Sequence, residues 1–336
     1  MMGSGLPLDG FHAPIVTGLI AVTVSYLLTP LVRNLAISRG AMDDPKLDER
    51  RVHKEPTPRW GGLAIYAGIV GSLVAVLPFA FPRPAIPNYL IGMLLVGAAI
   101  VVVGALDDLY QYKARVQALF LLICGMAIQV FDSPVGQVQI QTIGIPLSNP
   151  PAYVALGLAA VPITAIYIFV ITKTMDTIDG IDGLAAGIAA IAGATLSIIA
   201  AYGEQPRVSI IAAAIAGAAI GFLKHNYNPA KIFMGTGGAQ LLGFMLASLS
   251  IVGAFKTAAA FALFIPVLVF GIPIFDAFFV VVRRILSRQP ITQADKRHLH
   301  HTLLGKGLSQ RQTVWVMYAM AAALCAVALF VIRNHA

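Results

Sequence analysis

Residues 89–131 read YLIGMLLVGAAIVVVGALDDLYQYKARVQALFLLICGMAIQVF. An apolar run ends in two aspartates, a short basic turn follows, and a second apolar run begins. Each run is about the length that crosses a bilayer as a helix, ~17–25 residues. Outward from this pair the pattern repeats, with apolar runs at 14–32, 61–81, 89–106, 115–131, 152–172, 184–202, 208–223, 238–255, 258–281 and 312–332. The sequence therefore predicts an all-α integral membrane protein of about ten transmembrane helices. They form one polytopic domain over residues 1–336.

Composition points the same way. Of the 336 residues, 58% are hydrophobic and only 11% charged, with a mean hydropathy of +0.82. A soluble domain carries about 25% charged residues. So much apolar surface cannot be hidden inside a water-soluble body, which excludes a soluble globular domain, a disordered chain and a nucleic-acid-binding domain. Cys124 and Cys325 both lie inside apolar runs, so they imply neither a disulfide nor a metal site.

Charge placement predicts the orientation. Nineteen of the 23 Lys and Arg residues fall in alternate loops, from Arg33 to Arg59, at Lys113–Arg115, Lys173, Lys224–Lys231 and from Arg283 to Arg311. The positive-inside bias places those loops in the cytoplasm and both termini outside. The first basic residue, Arg33, follows the first apolar run, the wrong flank for a cleaved signal peptide. On the outer face, 135–147 (VGQVQIQTIGIPL) alternates polar and apolar residues, predicting a short β-hairpin.

Carboxylates are costly near a bilayer, and their grouping is informative. Eleven of the 15 Asp and Glu residues share the loops assigned to the cytoplasm. The scatter of charge across 33–60 is what any solvated loop shows. Tight pairing at helix mouths, where carboxylates repel, is not. Asp107-Asp108 suits Mg²⁺ ligation or acceptance of a proton from a nucleophile, although a solvated helix end also explains it. In KTMDTIDGIDGL (173–184), Asp176, Asp179 and Asp182 recur every third residue with Gly180 and Gly183 between them. NYNPAKIFMGTGGAQ (226–240) is a glycine-rich entry to a helix, suited to a phosphate or to close helix packing. DKRHLHHTLL (295–304) concentrates His298, His300, His301 and Arg297, a pattern for gripping a diphosphate or an anionic lipid surface.

Five ordered motifs carry a resemblance: DDP with HKEPTPRWGG (43–62), GALDDL (104–109), DTIDGIDGLAAG (176–187), NPAKIFMG (228–235) and RHLHH (297–301). They resemble the polyprenyl-phosphate N-acetylhexosamine-1-phosphate transferases, of the glycosyltransferase 4 type. The His-x-His-His form resembles the branch that uses UDP-GlcNAc, which is related to the phospho-N-acetylmuramoyl-pentapeptide transferases. The resemblance implies a homodimeric enzyme of the bacterial cytoplasmic membrane with its cleft facing the cytoplasm. It implies transfer of a sugar-1-phosphate, GlcNAc-1-phosphate first, from the UDP-sugar to undecaprenyl or another polyprenyl phosphate, releasing UMP and starting a cell-envelope glycan. Mg²⁺ is the implied cofactor, with Mn²⁺ as its substitute.

Carried over residue by residue, the resemblance implies that Asp107 deprotonates or positions the lipid phosphate, with Asp108 as partner. Asp179, Asp182, Gly183, Asn228 and Phe233 are implied at the nucleotide, Phe233 by stacking on uracil. Arg297, His298, His300 and His301 are implied at the diphosphate, with His53, Lys54 and Arg59 as weaker candidates in the same cleft. The chain departs from the pattern at Asp176 and Lys173, where Asn is usual, at Thr236, where Asp is usual, and at Ala239, where Ser is usual. One carboxylate has moved, so Asp176 is expected as the main metal carboxylate, with Thr236 offering a hydroxyl or a water contact. The exchange Asp176→Asn with Thr236→Asp is then expected to retain more activity than Asp176→Asn alone.

Alternatives remain open at this point. A transferase for another UDP-HexNAc or for UDP-MurNAc-pentapeptide would share the fold. A secondary transporter would place ionisable groups at the midplane, often in inverted repeats, and this chain gathers them at one face without a repeat. A CDP-alcohol phosphotransferase would need Ala-Arg soon after the first Asp-Gly, and it is missing. A binding protein that has lost catalysis is suggested by Thr236.

Overall fold

Inside a bilayer a backbone must satisfy its own hydrogen bonds, and a long apolar run does so by coiling into a helix. The structure, a computed structural model, describes residues 12–45, 55–81, 86–145, 152–253, 268–286 and 298–335. In chain order its helices are α1 (His12–Ser38), α2 (Gly61–Ala80), α3 (Asn88–Tyr110), α4 (Ala114–Ala127), α5 (Ala160–Ile178), α6 (Leu184–Tyr202), α7 (Pro206–Asn226), α8 (Gly235–Gly253), α9 (Gly271–Leu286), α10 (Leu299–Gly305) and α11 (Gln310–His335). Two short antiparallel pairs accompany them: β1 (Met42–Asp43) with β2 (Thr57–Pro58), and β3 (Thr142–Ile145) with β4 (Ala152–Ala155).

Among the described residues, eight helical segments are long and apolar enough to cross a membrane: α1, α2, α3, α5 with its lead-in from Gly157, α6, α7, α8 and α11. The expected span at 115–131 is a shorter helix, α4, that tightens into a 3-10 turn at Ile128–Val130. The expected span at 258–281 is described only in part. Its visible portion, α9, runs on to Leu286, so Arg283 and Arg284 sit on the helix rather than in a loop.

The hairpin expected on the outer face differs in its second strand. Among the described residues of the alternating segment, Thr142–Ile145 form the strand, and its partner is Ala152–Ala155, in register from Thr142↔Ala155 to Ile145↔Ala152. Residues 152–159 were expected to open the fifth span. Instead they form that strand and a 3-10 turn at Gly157–Ala159, and α5 begins at Ala160. A short apolar run carries no periodicity that separates a strand from a helix end, and the cross-strand partner decides.

Helix α8 is the hub. Its membrane-length stretch is buried almost throughout, and α2, α3, α5, α6 and α7 all pack on it. Small residues permit the close approach. A Cβ added to Gly104 of α3 would lie 2.2 Å from the Gly237 Cα of α8, and one on Gly62 of α2 would lie 2.5 Å from the Gly238 Cα. Without a lateral hydrophobic force in lipid, such backbone-to-backbone contact is how helices associate closely. Its local result is that the end of α3, which carries Asp107 and Asp108, sits against the first turn of α8.

Candidate active site

One end of the bundle gathers the starts of α2, α4, α6, α8 and α11 with the ends of α3, α5 and α7. The segment before α8 runs as an extended strap beside the segment before α2. Phe233 N–H donates to Pro58 O at 2.8 Å, Gly61 N–H to Phe233 O at 3.0 Å and Gly62 N–H to Met234 O at 2.9 Å. Trp60 Nε1 donates to Ala105 O at 2.9 Å, tying the segment before α2 to α3. The aspartates at 107, 108, 176, 179 and 182 all lie at this end, as the sequence predicts.

Asp108 is buried, with its carboxylate only 1% exposed. Its Oδ1 accepts from Arg59 Nη1 at 3.3 Å and from the Thr236 N–H, in the first turn of α8, at 3.2 Å. Its Oδ2 is buried with no hydrogen-bond partner among the described residues, and it lies over Gly235, where an added Cβ would come within 2.2 Å of it. Arg59 also binds Asp43 at 2.6 Å, so this weaker candidate is the counter-ion of two carboxylates. Asp107 faces another way. Its Oδ1 accepts from Tyr112 N–H at 2.8 Å and from Gln117 Nε2 at 2.9 Å.

The aspartates of 173–184 have three different environments. Asp176 Oδ2 lies 2.5 Å from Lys173 Nζ and accepts from Gln240 Nε2 at 3.4 Å. Asp179, just past the end of α5, has its carboxyl pushed up to about 8. Burial is the main cause, Asp176, Asp108 and Asp182 add to it, and Arg59 opposes it. Asp182 is a strut: its Oδ2 accepts from Asn228 Nδ2 at 2.9 Å and from Ala230 N–H at 3.0 Å. Gly183, with φ +83°, donates its N–H to Asn226 Oδ1 at 3.1 Å and accepts the Tyr318 hydroxyl at 2.6 Å. Asn228 also meets Gln310 and, through its carbonyl, Arg311. Phe233 is half-buried in the strap. Of the residues assigned to the nucleotide, Asp182 and Asn228 are in contact and Gly183 is held by Asn226, whereas Phe233 pairs through its backbone with Pro58 and Gly61.

Of the two residues expected to share a metal, Asp176 pairs with Lys173, and Thr236 presents its backbone N–H to Asp108.

The histidines form a stack. His298 and His300 are parallel within 6° at 5.8 Å, and His301 is 4.3 Å from His300. Asp276 of α9, itself buried, accepts from Leu299 N–H at 2.7 Å and bonds His298 Nδ1 at 2.9 Å. His300 packs over Gly180, where an added Cβ would lie 2.5 Å from its Nε2. Burial pushes the His300 imidazole down to about 3, His301 and His298 reinforce the shift, and Asp276 opposes it. This ring is neutral near pH 7 and links the histidine turn to the Asp179–Gly180 turn. Arg297, His53 and Lys54 lie outside the described residues. A cavity of about 570 Å³ at the opposite end, lined by Tyr89, Asp132, Glu204 and Arg207 among others, touches none of these groups.

Gln117, Gln240 and Asp276 were not singled out from sequence. Asp276 carried the strongest signal, a carboxylate inside an apolar span. The two glutamines carried little beyond polarity near a helix start.

The chain is similar along most of its length to known proteins. Over 305 residues the chain is 36% identical to a Bacillus subtilis protein named a probable undecaprenyl-phosphate N-acetylglucosaminyl 1-phosphate transferase, covering 90% of this chain and 81% of that one. A model of glycosyl transferase family 4 matches residues 90–254. The chain belongs to glycosyl transferase family 4. Within the family it is also 35% identical over 347 residues to a Mycobacterium tuberculosis decaprenyl-phosphate N-acetylglucosaminephosphotransferase, covering 94% and 81% of the two chains. It is 28% identical over 344 residues to a Caldicellulosiruptor bescii phospho-N-acetylmuramoyl-pentapeptide-transferase, covering 98% and 99%. The segment matched by the family 4 model contains all five clustered aspartates, whereas Arg59, Asp276 and the histidines lie outside it.

Proposed function

We propose that this protein transfers GlcNAc-1-phosphate from UDP-GlcNAc to a polyprenyl phosphate, undecaprenyl phosphate first, releasing UMP and leaving polyprenyl-diphosphate-GlcNAc for cell-envelope glycan synthesis. The observation that carries this reading is the match over 90% of this chain to the Bacillus subtilis relative, whose name gives undecaprenyl phosphate and the N-acetylglucosaminyl 1-phosphate group. The gathering of Asp107, Asp108, Asp179 and Asp182 at one end of a membrane-length bundle supports it. The biased Lys and Arg loops share that end, which favours a site on the cytoplasmic side of the bacterial inner membrane with both termini outside; ten spans and a homodimeric assembly are what the family resemblance implies.

A lipid-phosphate oxygen forms a bond to the sugar-side phosphorus of the diphosphate, and the bond from that phosphorus to the UMP oxygen breaks. Both partners are anionic, so positioning and neutralisation are the main tasks. Asp107 orients the attacking phosphate and accepts its proton where one is present. The loop braced by Asp182, Asn226 and Asn228 receives the nucleotide, and the histidine stack with Arg59 borders the diphosphate.

The residues present fit a divalent cation with hard oxygen ligands. Asp108 Oδ2 is a buried oxygen without a partner among the described residues, and Asp179 sits among like charges that a cation would relieve. Among the described residues no three His, Cys, Asp or Glu side chains already surround a metal position. Mg²⁺ binds through one or two carboxylates, water and substrate phosphates. Bound there, Mg²⁺ would neutralise the diphosphate and the charge that develops on it.

The test is transfer of labelled GlcNAc-1-phosphate from UDP-GlcNAc to undecaprenyl phosphate by purified protein, with Mg²⁺ and with EDTA. Lipid-linked product and UMP that vanish with EDTA are expected. Folded protein that yields neither product overturns the reading.

A further inference from the structure

Four polar side chains from three helices form an unbroken line across the site. Asp176 Oδ2 is 2.5 Å from Lys173 Nζ, Lys173 Nζ is 3.1 Å from Gln117 Oε1, and Gln117 Nε2 is 2.9 Å from Asp107 Oδ1. Lys173 and Asp176 are one turn apart on α5, Gln117 is in the first turn of α4, and Asp107 is near the end of α3.

We propose that Lys173, held by Asp176, is a positioning residue that orients the Gln117 amide so that it grips Asp107. The inference rests on the transfer reaction proposed above. Its physical basis is the asymmetry of an amide, which has an oxygen that only accepts and a nitrogen that only donates. A lysine ammonium can only donate, so it binds Oε1 and leaves Nε2 toward the carboxylate. Asp107 and the Tyr112 carbonyl, 3.4 Å from Nε2, select the same orientation, and the ammonium adds the contact to Oε1; without it the flipped form, which sets Oε1 against Asp107, is less strongly disfavoured. Asp176 has a matching part. Its charge and the weaker bond from Gln240 hold Nζ over Gln117. As an isolated ion pair, Lys173–Asp176 would matter little, since its side chains are 36% and 16% exposed and solvent screens such pairs. Its effect is directional and is exerted on Asp107.

A double-mutant cycle between positions 173 and 117 tests this in the full-length protein. The readouts are kcat, KM for UDP-GlcNAc and thermal unfolding, with wild type assayed in parallel. Lys173→Asn and Gln117→Ala should each lower kcat about tenfold or more, while KM for UDP-GlcNAc and the unfolding temperature stay close to wild type. The double variant should lose no more than the worse single, because both act through one contact. Lys173→Arg, which keeps a cationic donor, should recover most of the rate. Losses that multiply in the double variant overturn the relay, as does Lys173→Asn with an unchanged kcat. Loss of folding in Lys173→Asn that Lys173→Arg repairs, with Gln117→Ala fully active, also overturns it. Wild-type protein that makes no lipid-linked product is a different result and refutes the transfer reaction itself.

Discussion

Asp276 should be indispensable to the histidine turn, and its contribution can be sized. Alanine at this position removes the acceptor of the Leu299 N–H and of His298 Nδ1. Hydrogen bonds to a charged group contribute about 1.5–3 kcal/mol each, and the carboxylate is only 4% exposed, so water does not replace it. Losing even about 3 kcal/mol reduces the docked population of the turn relative to the undocked one by about a hundredfold. If the docked His298 and His300 serve transfer, kcat/KM for UDP-GlcNAc falls in proportion to the docked fraction that is lost, up to that factor. Asp276→Asn separates anchoring from ring orientation. Its amide oxygen can still accept the Leu299 N–H, but its NH₂ then faces His298 Nδ1 and requires that nitrogen to be unprotonated. The Asn variant should therefore unfold near the wild-type temperature yet lose about tenfold in rate. Steady-state transfer with purified protein and thermal unfolding in the same detergent read both effects. Asp276→Ala with both an unfolding temperature and a kcat/KM close to wild type would refute the reasoning.

Two further outcomes are expected. Gly104→Ala places a methyl group 2.2 Å from the Gly237 backbone, which no rotamer can relieve. Overpacking of this kind costs about 1–3 kcal/mol, so thermal unfolding should shift down, and an unchanged unfolding temperature would contradict the contact. Burial holds His300 at about 3 in the folded protein against an ordinary 6.5, so between those values the folded state binds fewer protons than the unfolded state. Its contribution to stability is complete above about 6.5 and declines as pH falls toward 3. His300→Phe should flatten the pH dependence of unfolding between pH 7 and 5, and curves of equal slope would count against a buried neutral ring.

The helical content and the gathering of carboxylates at one end were legible because they follow from composition and from the cost of charge in lipid. What sequence could not resolve was local pairing. Ala152–Ala155 looks like the opening of a span until β3 is seen beside it. Asp176 and Thr236 look like one carboxylate exchanged between two metal positions. In space, Asp176 also meets Lys173 one turn away, and Lys173 is itself a departure from the family pattern. A pair of coordinated changes in a sequence names no partner, because spacing along a helix is compatible with several. Asp276 shows the converse. Its presence in an apolar run was visible, but its use depended on a histidine 22 residues later folding back onto it.

The glycine contact between α3 and α8 has a mechanical consequence. Where two helices touch through side chains, rotamers absorb small changes in tilt. Between Gly104 and Gly237 only backbone is in contact, so a change in the angle of α3 is passed on one turn later to Asp108 and its bond to Thr236. Helices that are mismatched to bilayer thickness respond by tilting. The geometry of the carboxylate pair is thereby coupled to the thickness of the surrounding lipid, and acyl-chain length becomes a physical variable of the site.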